Sequence, residues 1–482
     1  MTNKFCHIFL FFLFTLSITP DLIVCANYLV PEKIRIYNIT NGLRDDYIFC
    51  IDQDLKGNLW IGTRTGTSNF NGQLIENYGE LAGFTDKTVW SIYCDSRGSC
   101  WFGTDGDGLF LYDGNRWGHL KKKGYQTNNS FFDSFISEDS KGNIWGGGEN
   151  ARLFKYKNNK LSQLNDKIQA MIETNNEEIF GIKFNGTCLY RYFPDKNRLK
   201  KVFNDLESTL DIALSSDNAI WIAGDMSYIA KSTDNGQSFE KFYFKKDMAG
   251  NLWDLFIDRD DNIWLACSNY VIMFDGKEFN YFERWDGLPI GHYKYIYQDE
   301  DGHLWFCCFG GLAQFDNIPP KINLIKPPSK IVKTSDLYFR FTGDDTRFGT
   351  DSDKITYEYF WSEKVKEGPD KGPDKGTDKE KNWKKTNFGH VYLNNLKNNT
   401  DYEVFLRATD DCNNKTENKI SFSIAINPKA VPFVNSLSDE LLYLIQQDQE
   451  ENKKKIKPKQ INKFSYEISE EDFIDFTKIE EE

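Results

Sequence analysis

A tryptophan set in nearly the same phrase returns about every 41 residues along much of this chain. The phrases begin with Gly57-Asn58-Leu59-Trp60-Ile61-Gly62-Thr63, Ser99-Cys100-Trp101-Phe102-Gly103-Thr104 and Gly142-Asn143-Ile144-Trp145-Gly146. They continue with Ala219-Ile220-Trp221-Ile222-Ala223, Asn262-Ile263-Trp264-Leu265-Ala266 and His303-Leu304-Trp305-Phe306-Cys307. A degenerate copy, Glu178-Ile179-Phe180-Gly181, fills the slot after Trp145, so the landmarks lie 41, 44, 35, 41, 43 and 41 residues apart. Seven landmarks imply seven repeats, and a period of about 40 residues is the length of one four-stranded propeller blade.

One repeat can be read strand by strand. Val89-Trp90-Ser91-Ile92-Tyr93-Cys94 alternates as a strand does, and Asp95-Ser96-Arg97-Gly98 has turn chemistry. Cys100 to Thr104, Leu109 to Tyr112 and Arg116 to Leu120 follow as three more strands, separated by Gly-, Asp- and Asn-rich hairpins. The seventh unit meets Pro319-Pro320 before a fourth strand can form, while an unpaired strand-like run, Lys33-Ile34-Arg35-Ile36-Tyr37, precedes the first unit. The expectation is a seven-bladed propeller over residues 33–318, closed by the strand 33–37, which removes two exposed edges. The six repeated tryptophans, Trp60, Trp101, Trp145, Trp221, Trp264 and Trp305, belong to its core.

Residues 1–26 read as an export signal: Lys4, an apolar run from Phe5 to Ile18, then Val24-Cys25-Ala26 as a small-residue cleavage site. The rival is an uncleaved anchor, although Thr19-Pro20-Asp21 interrupts the run before it spans a bilayer. No other segment is long and apolar enough to cross a membrane, so an exported protein, periplasmic or extracellular, is expected. A net charge of −13 and the lack of a basic stripe argue against nucleic-acid binding. With no paired CxxC and no His/Cys cluster, no metal and no cofactor is expected. Cys94 and Cys100 flank one hairpin turn and read either as a cross-strand disulfide or as two small buried residues.

After Asp316 the runs lengthen: Ile322 to Ile325, Leu337 to Phe341, Tyr357 to Trp361, Val391 to Leu393, Tyr402 to Ala408 and Ile420 to Ile424. They predict an immunoglobulin- or fibronectin-like β-sandwich over residues 319–427, making the whole chain all-β. The Gly-Pro-Asp-Lys-rich stretch 366–381 is a flexible insertion. Residues 428–482 are expected to hold a short helix, Leu437 to Gln447, and a disordered charged tail.

The series of phrases, with Val89-Trp90-Ser91-Ile92-Tyr93 ahead of Cys100-Trp101-Phe102-Gly103-Thr104, resembles the periplasmic propeller repeat of bacterial two-component sensor proteins. The sandwich, through Tyr357, Tyr359, Trp383, Tyr392-Leu393-Asn394-Asn395-Leu396 and Tyr402, resembles the three-Y domain that follows such propellers. The resemblance implies a ligand-sensing ectodomain, often for polysaccharide breakdown products, coupled to a kinase across the membrane. This chain shows one ring where many relatives carry two, and neither a membrane helix after the sandwich nor a kinase. The expectation is therefore a stand-alone binding protein, or a sensory half working with a separate membrane signalling protein.

A ligand would sit where the loops before the first strand and between the second and third strands share one face around the axis. Chain order places Asp86, Trp90, Trp253, His292, Tyr293 and Tyr295 near the first set, and Arg64, Asp105, Asp107, Glu149, Asp225 and Tyr270 near the second. Aromatic faces with scattered carboxylates, arginine and histidine suit an oligosaccharide. Ser232-Thr233-Asp234-Asn235-Gly236-Gln237-Ser238-Phe239 matches the Asp-box of sialidases, in which Ser232, Asp234, Gly236 and Phe239 build a hairpin. No nucleophile elbow, P-loop or metal motif occurs, so a non-catalytic binding propeller is expected. A carbohydrate-active glycosidase or lyase and a protein–protein adhesion module are the alternatives.

Overall fold

The computed structural model describes residue 29 and residues 31–426, except 80–82, 85–86, 106–107, 121–134, 149–151, 159, 184–185, 225–226, 246–250, 283, 365–382 and 387–388. The expected leader, the 366–381 insertion and the C-terminal helix and tail lie outside the described residues. Seven four-stranded antiparallel sheets form the blades of a propeller. The innermost strands, in order, are Ile48–Gln53, Val89–Cys94, Phe135–Glu138, Ala170–Glu173, Thr209–Leu214, Leu252–Ile257 and Tyr293–Gln298. In blade 7 the outermost strand comes from the other end of the sequence. Ile34–Tyr37 pairs antiparallel with Gly311–Phe315, Ile34 opposite Phe315 and Tyr37 opposite Leu312.

The repeated tryptophans are fixed by a second repeated residue. Asp54 opens the turn after the first innermost strand, and its Oδ1 accepts the N–H groups of Lys56 and Asn58. Its Oδ2 accepts from Trp60 Nε1 at 3.1 Å, so one carboxylate holds the turn and the buried indole together. The same indole-to-carboxylate bond joins Trp101 to Asp95 (3.0 Å), Trp145 to Asp139 (2.9 Å), Trp264 to Asp258 and Trp305 to Asp299 (both 2.8 Å). An indole N–H buried without an acceptor would cost about 1–3 kcal/mol, so the aspartate makes the large ring usable in the core. Blades 4 and 5 have Thr174 and Ser215 in the aspartate position, and blade 4 has Phe180 for the tryptophan. Each of the six tryptophans is buried.

Neighbouring blades are laced at these turns. Ser96 N–H donates to Glu138, Ser216 N–H to Asp261, Arg259 N–H to Gln298 and, across the closure, Glu300 N–H to Gln53 at 2.8 Å. The Asp-box has a structural role. Asp234 Oδ1 accepts from Gln237 and Ser238 N–H, Gly236 N–H donates to Ser232 Oγ, and the Phe239 ring packs on Phe203. Cys94 and Cys100 are direct cross-strand partners and are joined by a disulfide.

Beyond the ring, a three-stranded sheet (Lys321–Ile325, Leu337–Asp344, His390–Leu393) faces a five-stranded one. The latter runs Ile331–Val332, Lys415–Ile424, Asp401–Thr409, Thr356–Glu363, Lys384–Thr386. Phe339, Phe341 and Val391 from one sheet and Tyr357, Val404 and Leu406 from the other share a single core, which makes this a β-sandwich.

The sandwich grips the closure of the ring. Phe348 is buried against Phe70 of blade 1 and stands edge-on to Trp305 of blade 7. Arg35, on the closing strand, donates to Asp316 at 2.7 Å, to Thr350 Oγ1 at 2.8 Å, to the Phe348 carbonyl and to Asp411. His303 occupies the position held by Asn58, Asn143 and Asn262 in other blades. Its Nδ1 pairs with Asp299 at 2.9 Å, as those amides pair with their aspartates, and its Nε2 reaches Thr346 Oγ1 of the sandwich at 2.9 Å. Burial works against a charged imidazole here, but Asp299 and then Asp316 outweigh it and hold the His303 pKa above its ordinary value.

Candidate functional site

The axis of the ring holds a cavity of about 670 Å³ lined by the innermost strands of all seven blades. Its mouth is shaped by a device that recurs around the ring. In blades 1, 2, 5, 6 and 7 the innermost strand carries a β-bulge near its start. The residues left without a ladder partner are Phe49, Trp90, Leu210, Trp253 and Lys294. A bulge re-aims a side chain at the expense of one ladder position, and all five of these residues line the cavity.

Their aromatic members form an arc. The Trp90 ring meets Phe49 edge-on at 4.4 Å, and Phe49 meets Phe309 at 5.4 Å. The Lys294 ammonium lies 5.1 Å from the Phe309 centroid and 2.8 Å from that of Trp253. Trp253 is 43 % exposed at the open end. Burial lowers the Lys294 pKa to about 8.

Below the arc lie buried acids. Asp211 accepts the N–H groups of Ile212 and, in the next blade, Leu255; Asp254 accepts that of Ile296 in the blade after. The two carboxyls also hydrogen-bond each other, which requires a proton on one of them, and burial pushes both pKa values up. Asp52 accepts from Cys94 N–H of the next blade at 2.7 Å, and burial raises its pKa to about 6. The Tyr295 hydroxyl is pushed well up by burial and then by Asp254.

Of the residues expected at a ligand face, Trp90, Trp253 and Tyr295 come together on this cavity. Tyr293 does not: it is buried, and its hydroxyl donates to the Pro289 carbonyl. Tyr270 packs against the core between blades 5 and 6. Arg64 is paired with Asp45 at 3.2 Å and covers the Tyr47 ring, outside the cavity. His292 is exposed and stands edge-on to Phe309 at the rim, and Asp105 is exposed. Asp86, Asp107, Glu149 and Asp225 lie outside the described residues. Phe49, Lys294, Asp211 and Asp254 were not expected there. Among the described residues, no helix is long and apolar enough to cross a membrane.

A family model described as "Two component regulator propeller" matches residues 83–106, which take in the innermost strand of blade 2, its Asp95 turn and the Trp101 strand. That stretch is a two component regulator propeller repeat. No curated protein matches the chain. Among solved structures, the extracellular domain of a hybrid two component system from B. thetaiotaomicron superposes with a TM-score of 0.50 at 16% identity, covering 83% of this chain and 59% of that one. A second such domain from the same organism gives 0.49 at 19% identity, over 82% and 58%. The virginiamycin B lyase of Staphylococcus aureus, solved with quinupristin, gives 0.49 at 14% identity, over 58% and 98%. The chain thus spans less than two thirds of the length of the two extracellular domains.

Proposed function

We propose that this chain is a non-catalytic, exported sensing propeller that captures a small carbohydrate at the axial mouth and serves a separate membrane signalling protein. The observation that carries the reading is the set of five bulged innermost strands whose unpaired residues converge on one cavity. Bulges interrupt pairing, and a ring built only for stability has no use for five at one level. Aromatic faces beside polar groups are the furniture of a sugar site. The regulator propeller repeat adds weight to a role in sensing. Asp211 and Asp254 clasp the backbone of neighbouring blades, an occupation that suits architecture better than proton transfer.

The test is a thermal-shift screen of the full chain against an oligosaccharide panel, with release of reducing ends and unsaturated products read from the same wells. A shift without turnover, lost in Trp253→Ala, is the expected result. Turnover would replace the sensor with an enzyme.

A further inference from the structure

Which ligand the mouth takes can be read from the hydrogen-bonding capacity left unfilled there. Trp90 Nε1–H is buried and has no acceptor among the described residues. Lys294 makes no ion pair with a described carboxylate; its contacts are the faces of Trp253 and Phe309. A cation drawn out of water beside aromatic rings alone is under-compensated. The acids deeper in the cavity do not answer it, because their oxygens accept backbone N–H groups or share a proton. The open capacity is donor in character, on both sides of the aromatic arc.

Resting on the sensing role proposed above, we propose that the ligand is a sugar carrying a carboxylate or sulfate, with its anionic group held by Lys294 Nζ. Its ring lies on the exposed face of Trp253. A cationic ligand is disfavoured by the same geometry, since the ammonium of Lys294 already occupies the cation position over that indole. A neutral sugar would leave the lysine without an anion.

The experiment pairs acidic and neutral sugars of one skeleton: oligogalacturonates against galacto-oligosaccharides, and sulfated against unsulfated chondroitin disaccharides. Each is titrated by calorimetry into the full-length wild type, Lys294→Gln, Lys294→Arg and Trp253→Ala. The expected result is binding of an acidic member with its neutral partner weaker by about tenfold or more, the effect of one charge-assisted hydrogen bond. Lys294→Gln removes that preference, and Lys294→Arg retains most of it. Equal binding of acidic and neutral partners, or an unchanged preference in Lys294→Gln, overturns the anionic assignment while leaving the sensing propeller standing. Failure of the wild type to bind any member up to millimolar concentration overturns both.

Discussion

The seam where the sandwich meets the ring and the mouth of the axial cavity use similar residues to opposite ends. At the seam, Arg35 has five acceptors, the Phe348 carbonyl takes bonds from Arg35 and Gln314, and the Phe348 ring fills a gap between blades. At the mouth, among the described residues, Lys294 has rings and no carboxylate, Trp90 Nε1–H has no acceptor, and Trp253 is partly bare. Filled polar capacity marks a place where the protein binds itself. Unfilled capacity marks a place prepared for something else.

That contrast can be broken by mutation. Phe348→Ala should cost about 3–5 kcal/mol, the range for emptying a buried aromatic site, read as a lower urea midpoint; a loss under about 1 kcal/mol would mean the seam is not a packed interface. Arg35→Met leaves the fully buried Asp316 without its closest cation and should cost about 2–3 kcal/mol, checked by the same unfolding curve. Under the mouth, the folded Asp52 carboxyl holds its proton to about pH 6 against about 3.9 when unfolded. Its contribution is therefore full below about pH 4 and is lost as pH rises through 6. The loss should be about 3 kcal/mol, and Asp52→Asn should flatten that part of the stability–pH curve. His303→Asn keeps the turn bond to Asp299 but gives up Thr346, for about 1 kcal/mol. Trp253→Ala should change stability by less than about 0.5 kcal/mol; a larger loss would make it a packing residue and remove it from the site.

The ring was legible because its signals are local and repeated. The tryptophan period, the turn aspartates and the orphan strand 33–37 can each be seen without coordinates. The site was legible only in part, and blade 7 shows why. Read as an unbroken alternation, Tyr293 and Tyr295 share a face and Lys294 takes the other. The bulge at Lys294 breaks that alternation, so Tyr293 turns into the core and the lysine joins the mouth. Nothing in the composition of Tyr293-Lys294-Tyr295 announces an extra residue. The pairing of Asp211 with Asp254 was hidden for a related reason, since it depends on which blades are neighbours and not on sequence distance. His303 did leave a trace, as a histidine in a slot that blades 1, 3 and 6 fill with asparagine.

The pairing of Ile34 with Phe315 also sets a timetable. Because the chain emerges from its N-terminus, the first strand waits through the making of all seven blades before its partner exists, and its contacts are among the most distant in sequence the molecule has. Closing so long a loop slows the search for the native state. Until then the Gly311–Phe315 strand of blade 7 is an open edge, able to accept a strand from another copy. The sandwich, which follows directly, brings Phe348 and Thr350 onto Arg35 only after closure, so the last part made acts as a latch on the first.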